Sequence, residues 1–555
     1  MISVHVPSMT SRQCARTISA RVSDVPGVHT LEVDLSARTV RVTGPADPAA
    51  VAAAIDAAGH PVDRCVDDSR LHAARTGDLA MEAFSADITD PPEAVRSQVL
   101  TPSDGEERDL GPDPVPERRA GIGWIVAGSL ATGLLAALSL VAAPLVPAEE
   151  SAVTGAVLCG FALGWATLAV LSVRFTDQPQ PWAALPAVVM GLGGALLVGF
   201  GSPVDEALAW VWPPVVLALA VWMIVRTRRQ LHSRSGRRLL YPVIAFLGLA
   251  AVGGGYQTLG AAADAKAYPM PGQLVDVGGH RLHLSCTGSG SPTVVLEPGA
   301  GNTSSILGWI TPAVARGTRV CVYDRAGRGW SEPADTPRDG ARTAADLHTL
   351  LQRGHVPGPY VLAGHSFGGL YALSFAARYP DEVAGMVLVD STAPASTPEP
   401  ATAPAGDASS DDLAGRLSAL VSTSARLGVV RLYSGLDLGG LPPRSRGEAR
   451  AGIATADGVR SIIDEYAQGG ASASQAAALD DFAGKPLVVL TAGSGHDAAE
   501  SAAQDRLAAL STGSVHRVVD GATHVSLVMD RDDAAAVTQA ILDVVRAARS
   551  RTHLG

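Results

Sequence analysis

The chain has 555 residues, 47% hydrophobic and only 17% charged, and its mean hydropathy of +0.20 excludes bulk disorder despite 59 glycines and 37 prolines. A net charge of −11, with Lys266 and Lys485 the only lysines, leaves no basic surface to neutralise phosphates and argues against a nucleic-acid partner. Five cysteines, Cys14, Cys65, Cys159, Cys286 and Cys321, are too few and too scattered for a disulfide scaffold or a structural zinc site.

Residues 1–66 alternate apolar positions in MISVHV and pass through a helical pattern from Ser11 to Val22. They return to strands at VHTLEVDL and TVRVTG, then give a helix, AAVAAAIDAAG, and a short PVDRCV. This order, βαββαβ, predicts a ferredoxin-like α+β domain. MISVHVPSMT has no basic stretch followed by an apolar run, so the domain is expected to stay on the cytoplasmic side. Residues 67–118 are acid-rich and punctuated by proline, as in GEERDLGPDPVPERR, and read as a flexible linker.

Between Arg119 and Asp264 the few charges leave five uncharged stretches: Ala120–Ala148, Ser151–Val173, Gln178–Val204, Ala207–Val225 and Leu239–Ala263. Each reaches or nearly reaches the roughly 20 residues that span a bilayer, so 119–263 is expected to form five transmembrane helices of an integral cell-membrane protein. Trp124, Trp182, Trp210 and Trp212 fall near their ends, where aromatic belts form. Arg118 and Arg119 precede the first stretch, Arg174 lies between the second and third, and Arg226, Arg228, Arg229, Arg234, Arg237 and Arg238 lie between the fourth and fifth. The other two loops have no Lys or Arg. By the positive-inside rule the N-terminus is cytoplasmic, and an odd number of spans delivers everything after them to the extracytoplasmic side.

Residues 264–555 form the last domain. Apolar runs typical of buried parallel strands occur at QLVDV, RLHLSC, TVVLEPG, TRVCVYDRAG, YVLAGHS, MVLVDST, PLVVLTAG and VHRVVDG, with helical segments among them. From about 392 to 481 the pattern lapses into Pro/Ala/Ser-rich sequence and amphipathic helices, an insertion of the size of a lid.

Gly364-His365-Ser366-Phe367-Gly368 matches G-x-S-x-G, a weak pattern alone in a chain with 59 glycines. Its context strengthens it: it follows the strand PYVLAG and opens the helix GGLYALSFAARYP, the strand-turn-helix that exposes a nucleophilic serine. A serine hydroxyl needs a base, itself oriented by a carboxylate. His524, after the last strand, stands in the chain order Ser, acid, His; His365, His496 and His516 are read as structural. Two carboxylates are candidates for the acid. Asp497, in the loop after the penultimate strand, is favoured as the usual acid position; Asp390, ending MVLVDST, is the alternative. The oxyanion donors are read as the backbone N–H groups of Ala300, in the loop LEPGAG, and of Phe367, after the nucleophile.

The carriers LEPGAG, YDRAGRGWS, GHSFGG, LVDST and GATH, in order over about half the chain, resemble the alpha/beta-hydrolase fold. The resemblance implies a serine hydrolase acting on a small-molecule or lipid acyl ester, with amides the secondary reading, and no cofactor for hydrolysis. A serine at 366 speaks against dehalogenases and epoxide hydrolases, which use an aspartate. Pro298-Gly299 stands where a His-Gly pair is frequent. In this fold RLHLSC lies antiparallel beside TRVCVYD, which puts Cys286 and Cys321 within disulfide range in an oxidising compartment.

VPSMTSRQCARTISARVSDVPGVHTLEVDLSARTVRV and the AIDAAGHPV ending resemble the heavy-metal-associated domain, whose loop reads Met-x-Cys-x-x-Cys and binds a soft monovalent metal. Here Met9 is followed by Ser11 and Cys14, so one thiolate is lost, and Met9, His5 or a second molecule would have to complete the shell of Cys14. The preferred reading is a degenerate site kept as a protein-contact module. The rival for the whole chain is a non-catalytic membrane sensor or interaction protein with a metal-responsive N-terminal domain.

Overall fold

The alternating residues of MISVHV become the central strand of a small sheet in the computed structural model, which describes residues 2–9, 12–34, 37–62, 64–67, 121–147, 149–395, 408–434, 439–552 and 554. The chain divides into two units, 1–113 and 114–555. Beyond Asp67, the expected linker at 67–118 lies outside the described residues.

The first unit runs β1 (Ile2–His5), α1 (Arg12–Ser23), β2 (Thr30–Asp34), β3 (Thr39–Thr43), α2 (Pro48–Ala57) and β4 (Arg64–Asp67), the expected βαββαβ order. Its strands pair antiparallel in the order β2-β3-β1-β4. The period of two sends Ile2 and Val4 of β1 and Val40 and Val42 of β3 to one face, where Ile18 and Val22 of α1 and Val51 and Ile55 of α2 cover them. Helix α2 starts where Asp47 accepts the Ala49 N–H and Pro48 takes a first-turn position that lacks an intrahelical acceptor.

The second unit opens with α3 (Ile122–Ala142), α4 (Glu150–Phe175), α5 (Ala184–Phe200), α6 (Ser202–Gln230) and α7 (Arg234–Ala267). All five, the third counted from the turn at Pro181, are long and apolar enough to cross a membrane. Helices α3 and α4 cross at Gly133, Ala137, Gly160 and Gly164, small residues that let backbones approach without a hydrophobic driving force. Leu135, Val170, Val188 and Leu249 stay exposed, as side chains facing lipid do.

All eight expected strand runs form one sheet: β5 (Gln273–Asp276), β6 (Arg281–Thr287), β7 (Thr293–Glu297), β8 (Val320–Tyr323), β9 (Tyr360–His365), β10 (Val383–Val389), β11 (Leu487–Ala492) and β12 (Ser514–Val519). Their order is β12-β11-β10-β9-β7-β8-β6-β5, with β6 antiparallel to both of its neighbours, β5 and β8, and every other pair parallel. Helices α8 (Ile310–Val314), α9 (Gly340–Arg353) and α10 (Phe367–Arg378) belong to this layer structure. One face packs on Leu347, Leu351, Leu370 and Phe375 of α9 and α10. Between β10 and β11 stand α11 (Ala408–Arg426), α12 (Val429–Ser434), α13 (Pro443–Ile453), α14 (Ala456–Ala467) and α15 (Gly469–Ala476), where the sequence reading expects a lid. Then come α16 (Ala498–Ala508), α17 (Ser526–Met529) and α18 (Arg531–Ser550), and the other face of the sheet packs on Val537, Ile541 and Val544 of α18. Strand β6 sets Cys286 directly opposite Cys321 of β8, and the two are joined as a disulfide with Cα atoms 4.0 Å apart.

Candidate active site

Strand β9 ends at His365, α10 begins at Phe367, and Ser366 between them takes φ 56° and ψ −126°. A non-glycine residue there is strained and is held only by what surrounds it. The Ser366 N–H donates to Val389 O at 3.1 Å, and its own carbonyl accepts from the Gly369 N–H at 3.0 Å and the Thr392 N–H at 3.2 Å. Helix α10 also crosses so tightly that a Cβ on Gly364 would sit 2.4 Å from Gly368 O, and one on Gly368 2.3 Å from Glu297 O. The flanking glycines of the motif are therefore a packing requirement.

His524 reaches this edge of the sheet from the loop after β12. The buried ring of His365 lies 4.6 Å from the His524 ring, and its Nε2–H donates to His524 O at 3.0 Å, a carbonyl being able only to accept. Burial, then the neighbouring His524, lowers the pKa of His365 to about 4, so it is neutral near pH 7. His365 thus anchors the His524 loop, in line with its structural reading. His516 bonds Thr491 and Asp505 at the far edge strand.

The imidazole of His524 pairs with Asp390, Nδ1 to Oδ2 at 2.6 Å. Asp390 is buried and, like Ser366, holds a positive φ, 46°, at the end of its strand. Its other oxygen accepts from the Ala492 N–H at 3.0 Å and lies 3.1 Å from His496 Nε2. Burial pushes the Asp390 carboxyl up, but the His524 and Ala492 hydrogen bonds outweigh it and hold it below the ordinary carboxylate range. Asp497, the favoured acid, is elsewhere occupied. It is the exposed N-cap of α16, its Oδ1 accepting from the Ala499 and Glu500 N–H groups at 2.8 Å each, while Glu500 closes a capping box onto the Asp497 N–H at 2.9 Å. The partner of His524 is therefore the alternative, Asp390. His496, read as merely structural, also belongs to this cluster.

The loop after β7 lies against the nucleophile: a Cβ on Gly299 would be 3.1 Å from Ser366 Cβ. The N–H groups of Ala300 and Phe367 have no acceptor among the described residues, the condition of donors left for a ligand. Beneath the loop is a buried charge network. Arg325 donates to Pro298 O at 2.8 Å and Gly299 O at 2.7 Å and pairs with Glu465 of α14 at 2.9 Å. Glu465 also accepts from the Gly301 N–H at 2.8 Å, from Tyr371 Oη at 2.9 Å and from Arg328 at 2.5 Å. Arg325 and Arg328 belong to YDRAGRG, whose role sequence reasoning missed. Two arginines just after a strand were the available signal.

Glu297 ends β7 fully buried, accepting from Tyr323 Oη at 2.7 Å, and burial pushes it up to about 7 against the pull of Arg325 and Tyr323. A carboxyl raised from 4.5 favours its protonated form in the fold, so its contribution is complete at low pH and is lost as pH climbs through 7. The Tm of Glu297→Gln relative to wild type should therefore rise by several degrees between about pH 5 and about pH 8. A margin constant with pH would contradict this reading.

In the first unit Met9 is fully buried in the core, so its thioether is not offered to a metal beside the half-buried Cys14; this corrects the reading of Met9 as a completing ligand. Residues 10 and 11 lie outside the described residues. Among the described residues no three His, Cys, Asp or Glu side chains gather as a metal site.

A family model described as alpha/beta hydrolase fold matches residues 292–526, and one for the heavy-metal-associated domain matches residues 3–61. An uncharacterized protein of Schizosaccharomyces pombe is 34% identical over 154 residues, 22% of this chain and 29% of that protein. A putative carbamate hydrolase of Pseudomonas savastanoi is 35% identical over 131 residues, 22% of this chain and 46% of that protein. The chain thus spans less than half the length of these relatives. The solved enol-lactonase from Burkholderia xenovorans is similar at 20% identity with a TM-score of 0.37, over 49% of this chain and 100% of that one. One polypeptide therefore carries a heavy-metal-associated domain at residues 3–61, five apolar helices and an alpha/beta hydrolase fold domain matched at residues 292–526.

Proposed function

We propose that this chain is a membrane-anchored serine hydrolase that cleaves acyl esters. The observation that carries the reading is the 2.6 Å contact of His524 Nδ1 with the buried Asp390, on an imidazole whose backbone is tied to the residue preceding the strained Ser366. In the proposed cycle Ser366 Oγ attacks the acyl carbonyl as His524 Nε2 takes its proton. Asp390 holds Nδ1–H and stabilises the imidazolium. The Ala300 and Phe367 N–H groups receive the oxyanion, His524 returns the proton to the leaving alcohol, and water repeats the sequence on the acyl-enzyme. The cycle uses only these groups and water. A fluorophosphonate probe on the detergent-solubilised protein, followed by a chain-length panel of acyl esters, tests it: no labelling of the wild type would refute it.

The N-terminus is cytoplasmic and the hydrolase domain extracytoplasmic in this proposal. Two observations support it besides the arginine distribution. The hydrolase part packs on the acidic helix ends, with Arg426 on Glu150 and Asp205 and Arg431 on Asp264, opposite the Arg-rich loops. The Cys286–Cys321 bond suits an oxidising compartment. A membrane-impermeant protease added to intact cells should digest the hydrolase domain; digestion only after lysis would reverse the orientation.

For the N-terminal domain we propose a protein-contact role with weak metal affinity. With Met9 buried, Ser11→Cys should restore tight cuprous binding by supplying the absent thiolate, measured by chelator competition against wild type. Tight binding by the unmodified chain would instead favour a metal-responsive domain.

A further inference from the structure

Helices α11 and α12 carry an apolar face that no described residue covers. Leu417, Val421, Val429, Leu432 and Tyr433 on it are each 51% to 76% exposed. In water such a stripe on a short helical pair is an unpaired hydrophobic surface. Its height against the apolar helices shows what covers it.

Two rulers agree on that height. On α7, a Cβ on Gly253 would lie 2.1 Å from Leu427 O, so the turn joining α11 to α12 touches α7 backbone to backbone. Gly253 stands eleven residues before Asp264, which is about 16 Å along a helix. A Cβ on Gly254 would lie 3.6 Å from both Arg426 O and Pro213 of α6, and Pro213 stands seven residues after Glu206, about 10 Å. Asp264 and Glu206 are the charges that close the apolar stretches of α7 and α6 on this side. Turn 427–428 therefore sits about two helical turns or more inside the apolar depth. Across the same height α7 keeps Val252, Tyr256 and Leu259 exposed, so the uncovered stripe is continuous with the surface the membrane helices present to lipid.

Several polar groups of the pair find partners at that depth, although the buried Ser418 hydroxyl finds none among the described residues. Thr423 and Thr154 hydroxyls meet at 3.1 Å. Arg426 pairs with Glu150 and reaches Asp205 at 2.6 Å, and Arg431 donates to Gln257 at 3.0 Å and Asp264 at 2.5 Å, so both guanidinium groups stretch toward the acidic helix ends. Above the pair, α11 packs on α14, whose exposed Tyr466 has its ring 5.6 Å from that of Phe367, the residue after Ser366.

We propose that α11 and α12 are sunk in the bilayer leaflet on the hydrolase side, and that the acyl ester is a membrane amphiphile taken from that leaflet. The insertion stands on geometry alone; the substrate half rests on the serine-hydrolase reading. The apolar stripe supplies hydrocarbon contact beside the site, so an acyl chain moves from lipid toward Ser366 along an apolar surface.

The full chain, with Cys14, Cys65 and Cys159 replaced by Ser, is reconstituted in phosphatidylcholine nanodiscs with an environment-sensitive fluorophore on Leu432→Cys, on Val421→Cys or, as the water-facing reference, on exposed Val518→Cys of β12. The first two labels should be quenched by nitroxide-bearing lipid and be about tenfold less sensitive to iodide than the third; equal iodide sensitivity overturns the insertion. Wild type is then compared with Leu432→Asp plus Tyr433→Asp on a long-chain acyl ester in vesicles and on a water-soluble butyrate ester. An acid in hydrocarbon is costly, so the variant should lose about tenfold on the vesicle ester and stay within about twofold on butyrate. Equal loss on both, or a wild type no faster on the vesicle ester, overturns the leaflet substrate. Absence of fluorophosphonate labelling in wild type would instead mark failure of the hydrolase reading, with the quenching result still deciding the insertion.

Discussion

Ser366→Ala should abolish fluorophosphonate labelling and lower ester turnover by at least about four orders of magnitude, because the nucleophile acts as a unit with its base and the remaining donors alone supply only residual catalysis. His524→Ala should lose a comparable amount and label very slowly, its serine lacking a proton acceptor. The fold should survive Ser366→Ala, since its strained turn is fixed by backbone hydrogen bonds to Val389, Gly369 and Thr392 and not by the hydroxyl. An unchanged circular dichroism spectrum and Tm with lost turnover is the expected pair of results. Full activity of Ser366→Ala would show that another group carries the chemistry.

Asp390→Asn should cost on the order of 10⁴-fold in turnover, as loss of the orienting carboxylate leaves the imidazole in the wrong tautomer. Asp497→Asn should be nearly silent, since Asn is as good an N-cap as Asp and the carboxylate of Asp497 touches only the start of α16. The two variants measured side by side discriminate the acids; a large loss in Asp497→Asn with Asp390→Asn active would reverse the assignment. The carboxyl of Asp390, held below the ordinary range, stays ionised at neutral pH. Its stabilising contact with His524 is present above the unfolded carboxyl pKa and is lost only as pH falls through the lower folded value.

The eight strands of the second unit were legible because buried parallel strands leave near-continuous apolar runs. The elbow was legible because a G-x-S-x-G set between such a run and a helix puts its serine on a sharp, exposed turn. The five helices were legible from charge spacing alone. The acid was not. Asp390 and Asp497 follow neighbouring parallel strands, β10 and β11, so position after a strand does not separate them. One local signal did separate them: Asp497-Ala-Ala-Glu500 is a capping-box sequence, which assigns that carboxylate to helix α16. Met9 misled for the opposite reason, since a thioether in a metal-loop position reads as a ligand until its burial is known. Glu465 gave no signal at all. It lies 164 residues from Gly301, on an amphipathic helix where an acidic residue looks like ordinary surface.

That carboxylate changes what the insertion is. Glu465 and the two guanidinium groups it satisfies are buried together, so lifting α14 away would leave Arg328 without its counter-charge and Arg325 with only Glu297, 3.6 Å away, in a dry interior, a separation that costs several kcal/mol. The same Arg325 fixes the carbonyls of Pro298 and Gly299. Because α14 also leans on α11, and α11 on the apolar helices, mechanical support for the loop that would receive the oxyanion is continuous with the anchor itself. Cutting the hydrolase domain free of its helices would leave Ser366, His524, Asp390 and the Glu465 network together, but would take away the surface on which α11 rests.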